Sequence, residues 1–463
     1  MRNGGNDIVQ RFAENMVKTD FNDISSDVME ITKIFILDTF GTALAGSSAP
    51  GSKGVVEMLK AQGGSKDAHI WTYGYEVPLE SAAFINSVMA HARDFDDTHD
   101  RAIVHANTSV LPAAFSLAEQ RNKSGRELLT AVALGVDFSC RIGLAAPSLS
   151  GWIHSSTLAY FASTLASCKV AGFDADKTIN ALGIVYSQVA GNTQCLVEGS
   201  LTKRMQPAFG AKGGVFACLL AEAGITGPKK ILEGKYGFFN LYQGGNYNRD
   251  TLIKDIGRHL EGKNLSMKPY PCCRATHAAL DITLKIVNEQ DIDPENIESI
   301  IFNVTPLIYD LVGKPFKIGT NPQVDAQFSI PYTTATAITR KDISLKDFEN
   351  SVIINSPALE LTKRIQVIAD SDGVDPKALV PVTINMKMKN GKVISRQANA
   401  IKGSPEDPMS MQECFEKFKK CNEYSEKPLK EKKLNDLIEL IMNMENLKNV
   451  SKLGALLSHK EAG

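Results

Sequence analysis

The residues best suited to chemistry lie in one short stretch, residues 91–105, which reads HARDFDDTHDRAIVH. It holds three of the chain's eight histidines, at His91, His99 and His105. The same stretch carries four aspartates, at Asp94, Asp96, Asp97 and Asp100. Because histidine titrates near neutral pH, such a mixture is typical of a metal site or an acid–base site. A solvated loop with capping aspartates is the alternative that composition alone leaves open.

Four further segments place reactive side chains beside small residues or prolines. They are GWIHSST at 151–157, GSLTKRMQP at 199–207, KPYPCCRATH at 268–277 and DAQFSIPY at 325–332. The cations suited to carboxylate or phosphate oxygens are Lys203, Arg204, Lys268 and Arg274. The histidines that could transfer a proton near neutral pH are His105, His154 and His277.

These residue types suit the chemistry of carbon acids. A carbon acid beside a carboxylate is very weakly acidic, so its deprotonation needs a positioned base and cations on the developing enediolate. The inventory therefore predicts elimination, decarboxylation or epimerisation of a small di- or tricarboxylic acid. The vicinal pair Cys272 and Cys273 carries no mark of a nucleophile, and we expect both cysteines to be structural.

Composition restricts the class of protein. The chain has 463 residues, 43% of them hydrophobic and 22% charged, with a net charge of -1. This balance favours neither nucleic acid nor an anionic membrane as the main partner. We find no apolar run of transmembrane length, no apolar core of a signal peptide and no CxxC pair. We therefore expect a cytoplasmic protein with reduced thiols.

Hydrophobic periodicity predicts a mainly α fold with an α+β insert. Apolar residues recur at helical spacing in the segments 5–60, 79–90, 109–119, 125–143, 155–171 and 177–189. Residues 297–304 alternate like a strand, and 381–396 are typical of a hairpin whose Asn390-Gly391 pair favours a type I′ turn. We predict a helical-bundle domain formed by residues 1–264 and 405–463. A smaller α+β lid domain, residues 265–404, interrupts it, and the cleft between the two domains is the expected ligand site.

Five ordered motifs resemble those of the MmgE/PrpD family. They are HARDFDDTHD with the following His105 and SVLPAA, then GSLTKRMQP, KPYPCCRATH, DAQFSIPY and the C-terminal GSPEDPMSMQECFEKF. The resemblance covers nearly the whole chain. It implies a helical domain with an α+β lid, a homodimer, and an active site without metal or organic cofactor. Known members of the family include 2-methylcitrate dehydratase, cis-aconitate decarboxylase and iminodisuccinate epimerase.

The resemblance also implies which residues form the site. The catalytic candidates are Asp94, Thr98, His105, His154 and Lys203. The candidates for substrate binding are Lys268, Tyr270, Arg274 and His277. In this interpretation His105 or His154 moves the proton, the lysines and His277 hold carboxylates, and Asp94 and Thr98 orient the nearby histidine and the substrate.

The chain departs from the best-known members at several positions. The decarboxylases resemble it in DFDDT, but carry histidine where Gln206 stands and proline where Ala106 stands. The 2-methylcitrate dehydratases typically have asparagine in place of Asp96 and differ around Lys203. Many members of the family have glycine in place of Ala208.

Three functions follow as hypotheses. The first is a cofactor-independent lyase acting on a 2-methylcitrate-like acid, with decarboxylation or epimerisation as alternatives at the same site. The second is a metal-dependent phosphohydrolase built on the His99-Asp100 doublet, with Asp94, Asp96 and His105 as further ligands. The third is a helical scaffold without chemistry, which the cation-rich loop at 268–277 disfavours.

Overall fold

The computed structural model describes residues 7–146, 151–370, 373 and 375–458. Among these residues helices predominate, and one four-stranded sheet is formed by strands between residues 297 and 398, so the predicted mainly α fold with a smaller α+β part is confirmed. Two main groups of buried apolar side chains form separate cores. One lies among the N-terminal and C-terminal helices, and the other lies between residues 275 and 401.

The larger core is enclosed by helices from both ends of the described chain. The N-terminal helices are α1 Ile8–Lys18, α2 Ser26–Gly46, α3 Ser52–Gln62, α4 Leu79–His91, α5 Asn107–Gln120, α6 Gly125–Ala145, α7 His154–Ala171, α8 Ala175–Tyr186, α9 Gln194–Val197, α10 Thr202–Glu222, α11 Phe238–Gln243 and α12 Arg249–Ile253. A short hairpin precedes α4 and consists of β1 Ala68–His69 and β2 Glu76–Val77.

Helix α4 leads directly into the stretch 91–105, and its position depends on a close approach to α2. A Cβ atom added to Gly46, at the end of α2, would lie 1.8 Å from the carbonyl oxygen of Met89 in α4. Only glycine allows this contact between the two backbones. The small-residue segment at 41–52 therefore serves packing.

Helix α6 is long and apolar enough to cross a membrane by length and composition alone. In the structure 94% of its most apolar window is buried inside the protein. Its hydrophobicity is therefore accounted for by its place in the core.

The predicted lid domain, residues 265–404, contains a four-stranded sheet of order β4-β3-β5-β6, with β3 Ile297–Val304, β4 Ile365–Ala369, β5 Val382–Met388 and β6 Val393–Ala398. Strand β3 is parallel to β4 and antiparallel to β5, which pairs antiparallel with β6. Alternate side chains of β5 are buried, as the sequence predicts for a strand with one face on a core. The lid helices are α13 His277–Glu289, α14 Pro306–Val312, α15 Pro322–Gln327, α16 Ile330–Arg340, α17 Asn350–Ile354 and α18 Leu359–Thr362.

The turn between β5 and β6 differs from the prediction. A type I′ turn needs positive φ at both central residues, but only Gly391 (φ 86°) has it and Asn390 does not. The backbone N–H of Met388 donates to the carbonyl of Lys392, and that of Gly391 donates to Met388. The loop thus spans three residues and reaches the left-handed region only at its glycine, a geometry that the dipeptide alone does not distinguish from type I′.

The C-terminal helices, α19 Met411–Glu423, α20 Glu431–Met442 and α21 Ser451–Leu457, pack on the larger core. Helix α19 contacts α2 and brings Lys417 under the stretch 91–105. Its buried Nζ lies 2.6 Å from the Asp38 carboxylate and donates to the carbonyl of Phe95 at 2.8 Å. The last part of the chain therefore supports the loop that carries the histidines and aspartates.

Candidate active site

The stretch 91–105 is a buried loop between α4 and α5. The side chains of Asp96 and Asp97 are fully buried, and Asp94 is 4% exposed. Backbone hydrogen bonds fix the loop, because Thr98 and Ser266 exchange N–H···O bonds of 3.0 and 2.6 Å. The alternative of a solvated loop with capping aspartates is therefore wrong.

His105 belongs to a hydrogen-bonded group with His91 and Asp96. The Nδ1 atom of His91 lies 2.7 Å from Oδ2 of Asp96, and Nδ1 of His105 lies 3.3 Å from the same oxygen. His105 Nδ1 is also 2.6 Å from the carbonyl oxygen of Asp97. A carbonyl can only accept, so Nδ1 carries the hydrogen and the lone pair of a neutral His105 lies on Nε2. This tautomer suits a base.

Neighbouring groups keep the carboxyl group of Asp96 ionised. Burial opposes its ionisation, but His91 and His105 outweigh burial and hold the pKa of Asp96 well below its usual range. Burial also lowers the pKa of His91, to about 4, although Asp96 opposes the shift. His91 is therefore neutral at pH 7 and orients Asp96, which can stabilise an imidazolium at His105.

Asp94 contacts two lysines instead of a histidine. Lys203 Nζ lies 2.7 Å from Oδ1, and Lys268 Nζ lies 3.3 Å from Oδ2 and 3.0 Å from the backbone oxygen. Burial favours the neutral acid, yet the two ammonium groups hold the pKa of Asp94 well below its usual value. The residue has φ 53°, a left-handed conformation that aspartate tolerates. Asp94 thus positions two cations, and the contact with histidine expected of it is made by Asp96.

Arg274 joins the loop to the lid domain. Its guanidinium donates to both oxygens of Asp100 at 3.1 to 3.2 Å and to the carbonyl of Lys402 at 2.9 Å. Ser266 donates a further hydrogen bond to Asp100 at 2.8 Å. The carboxylate of the His99-Asp100 doublet is therefore engaged by protein donors, and His99 Nε2 lies 3.4 Å from Glu261. This geometry does not favour the doublet as a metal site.

A cavity of about 190 Å³ lies where the two domains meet, beside this loop. The polar side chains predicted for the site that line it are Asp94, Thr98, His105, His154, Lys203, Lys268 and Arg274. His154 is the first residue of α7, and its Nδ1 donates to the carbonyl of Ala102 at 3.0 Å, which puts the lone pair on Nε2. The cavity therefore combines three imidazoles, since His91 also lines it, with three cations.

Two of the predicted site residues do not line this cavity. His277 Nε2 donates to the carbonyl of Cys272 at 3.2 Å, and burial together with Arg274 holds its pKa well below the usual value. Tyr270 donates to Asp281 at 2.9 Å, and its ring lies tilted against that of His277, with the ring centroids 5.2 Å apart. Their contact with substrate stays a prediction. Cys273, expected to be structural, does line the cavity, while burial raises its pKa to about 11 and keeps it a thiol.

His91 was not predicted as part of the site, and Asp96 was predicted only as a ligand of the alternative metal site. Both lie in the stretch 91–105, but nothing in the spacing tells which aspartate faces which histidine. His91, Asp96 and His105 also place three possible metal ligands within 4.8 Å of one another. A metal ion there would displace the hydrogens that Asp96 now accepts.

Asp97 makes the stability of the folded protein depend on pH. Burial, and next the neighbouring Asp96, raise its pKa to about 7, whereas an aspartate in an unfolded chain titrates near 3.9. Between these values the folded state binds more protons, so stability falls as pH rises from about 4 to 7 and levels off above it. Asp97→Asn cannot ionise, so its stability relative to the parent protein should rise by about 2–3 kcal/mol from pH 5 to pH 8.

Urea unfolding of both proteins at pH 5 and pH 8 measures this difference. The other buried carboxylates titrate in both proteins and cancel. Parallel pH profiles of the two proteins would mean that Asp97 is ionised in the folded state.

Comparisons with known proteins identify the family of the chain. Models described as the MmgE/PrpD N-terminal and C-terminal domains match residues 10–250 and 270–441. The cis-aconitate decarboxylase-like protein oryM of Aspergillus oryzae (strain ATCC 42149 / RIB 40) is 26% identical over 421 residues, 86% of this chain and 87% of its own. A cis-aconitate decarboxylase of Aspergillus terreus is 30% identical over 275 residues, 56% of each chain. That of Homo sapiens is 25% identical over 428 residues, 89% of this chain and 87% of its own. This chain belongs to the MmgE/PrpD family.

Proposed function

We propose that the protein is a cofactor-independent lyase that decarboxylates an unsaturated tricarboxylic acid of the cis-aconitate type. The observation that carries the proposal is the geometry of His105, whose Nδ1 is fixed by Asp97 and Asp96 while its ring lines the cavity. Lys203 and Lys268 line the same cavity and supply positive charge. This combination suits the protonation of an enediolate beside bound carboxylates.

The reaction can be written with these groups. When a β,γ-unsaturated acid loses CO₂, the bond between the carboxyl carbon and its neighbour breaks. The electron pair moves through the double bond to form an enediolate on the remaining carboxylate. His105 must enter the reaction protonated on Nε2, with a proton taken up from solvent. This proton then bonds to the α-carbon, which leaves a dicarboxylate, CO₂ and a neutral His105. Lys203 and Lys268 stabilise the developing negative charge, and the Asp96 carboxylate stabilises the imidazolium before the transfer.

The relatives and the departures from the family support decarboxylation over the dehydration expected from the sequence. Two of the relatives above are named cis-aconitate decarboxylases, and the third is named as a decarboxylase-like protein. Neither Gln206 nor Ala106, where the chain departs from the decarboxylases, is among the residues that line the cavity. Asp96, which the dehydratases replace by asparagine, contacts His105.

Dehydration of a 2-methylcitrate-like acid is the second candidate. It requires a base for the α-proton and an acid for the departing hydroxyl group, which leaves as water while a double bond forms. Of the imidazoles that line the cavity, those of His105 and His154 could take these two roles. The substrate therefore has to be tested directly.

A proton NMR time course in D₂O with the metal-free protein tests the proposed function. The panel consists of cis-aconitate, citrate, 2-methylcitrate and the aspartate-derived dicarboxylates. We expect cis-aconitate to be consumed and a product with a terminal alkene and one deuterium at its α-carbon to appear. An alkene formed from 2-methylcitrate would favour dehydration, and α-exchange without a new alkene would favour epimerisation. If none of these acids changes, the proposed function is wrong.

Metal removal should leave this activity unchanged. Asp96 already accepts a hydrogen bond from His91 and lies 3.3 Å from Nδ1 of His105, and the proton transfer proposed here needs no ion. We expect protein treated with a strong chelator to keep its rate and to contain no stoichiometric Zn, Mn or Fe. If the chelator abolishes turnover and one equivalent of metal restores it, His91, Asp96 and His105 form a metal centre. In that case phosphate esters become the substrates to test.

A further inference from the structure

The cavity has an apolar wall that a small polycarboxylate would not use. The cations and imidazoles come from the stretch 91–105, α7, α10 and the loop 268–274. Apart from Lys268 and Arg274, the lid domain contributes mainly hydrocarbon, with Leu307 and Leu311 from α14 and Leu379 from the loop before β5. Ile103 adds a further branched side chain from the helical domain. A carboxylate gains nothing from these four side chains, whereas an alkyl group would bury itself against them.

Two of these side chains are exposed, although they are large and apolar. Leu311 is 41% exposed and Ile103 is 37% exposed, and both line the cavity. Ile103 also has φ 53°, a left-handed conformation that costs a β-branched residue on the order of 1–3 kcal/mol. Strain of this kind persists where the surrounding structure imposes it, and it is concentrated at ligand sites.

The apolar wall continues out of the cavity into a larger cleft. That cleft has a volume of about 1010 Å³ and is bordered by Ile103, Leu307 and Leu379, which also line the smaller cavity. The smaller cavity, at about 190 Å³, lies below the range of roughly 300–1,000 Å³ that is usual for ligand pockets. A substrate with a chain attached could therefore place its carboxylates in the cavity and its chain along the three apolar side chains that the cavity and the cleft share.

We propose that the substrate is an alkyl-substituted polycarboxylic acid whose chain, longer than a methyl group, lies against Ile103, Leu307, Leu311 and Leu379. This inference rests on the proposed function, because it requires the carboxylates of the substrate to bind Lys203, Lys268 and Arg274. What the inference adds is that the substrate also carries an apolar alkyl chain. Each methylene buried along the wall should raise kcat/KM about fourfold.

A substrate series tests the inference. The kcat/KM of the full-length protein is measured with cis-aconitate and with derivatives that carry methyl, butyl and hexyl groups, together with the matching citrates. Between methyl and butyl, three methylenes predict an increase of up to about sixtyfold, and an increase of tenfold or more supports the inference. Leu311→Asn should lower the butyl-to-methyl ratio of kcat/KM at least fivefold. Ile354→Asn, at a 53% exposed position of the same domain outside the cavity, is the matched control and should leave the ratio unchanged.

The outcomes separate this inference from the proposed function. If cis-aconitate reacts and the butyl and hexyl acids react no faster, the apolar wall does not bind substrate and the inference fails alone. If the preference exists but Leu311→Asn leaves the ratio intact, the chain lies elsewhere and the inference is also overturned. If no acid of either length reacts or exchanges its α-proton, the proposed function fails and the inference fails with it.

Discussion

Replacing His105 by glutamine is expected to lower kcat by about 10²–10⁴-fold, the usual contribution of a positioned acid or base. Glutamine can still donate a hydrogen bond toward the carbonyl of Asp97, but it has no titratable nitrogen to present to the cavity. The imidazole is 20% exposed, so the variant should fold. Steady-state turnover of the substrate identified by NMR, with circular dichroism to verify folding, measures the effect.

Two further variants make this test specific. Asp96→Asn removes the negative charge beside His105, and Asp96 does not line the cavity, so kcat should fall with little change in KM. His259→Gln, at an exposed histidine outside the cavity, is the matched control and should keep full activity. Unchanged turnover of His105→Gln would remove His105 from the mechanism, and His154 would be the next histidine to replace.

Replacing Lys268 by methionine is expected to lower both activity and stability. The Lys268 side chain is 1% exposed and its ammonium contacts both the carboxylate and the backbone oxygen of Asp94. Removal of one partner of a buried ion pair typically costs about 3–5 kcal/mol, because the other charge stays buried. We expect a loss toward the lower end of this range, since Lys203 still pairs with Asp94. Urea unfolding and kcat/KM of the variant measure both effects.

Lys203→Met is the matched comparison. Lys203 is 17% exposed and contacts the same carboxylate, so its loss should cost less stability while it still lowers kcat/KM. The double variant Lys268→Met/Asp94→Asn removes both buried charges and should be more stable than the sum of the two single changes predicts. If Lys268→Met unfolds at the same urea concentration as the parent protein, the buried pair does not stabilise the fold.

The sequence predicted the main elements because each one carries its own periodic signal. Helical spacing of apolar residues marked α4 to α8, and strict alternation marked β3 and β5. The geometry of the turn between β5 and β6 was not predicted correctly, because the Asn390-Gly391 pair is compatible with more than one loop length. The length of that loop depends on how the flanking strands pair, which is not a local property.

The sequence by itself also determined which part of the chain carries the candidate chemistry. The types of residue in 91–105 and in the loop 268–277 were sufficient for that, because titratable groups at such density are rare. Only the tertiary structure decided which of these side chains contact each other. Asp94 meets Lys203 and Lys268, which are 109 and 174 residues away, and Asp96 meets His91 and His105. Asp94 and Asp96, two positions apart, point to different partners because side-chain direction follows backbone dihedrals, such as the positive φ of Asp94, that long-range packing imposes.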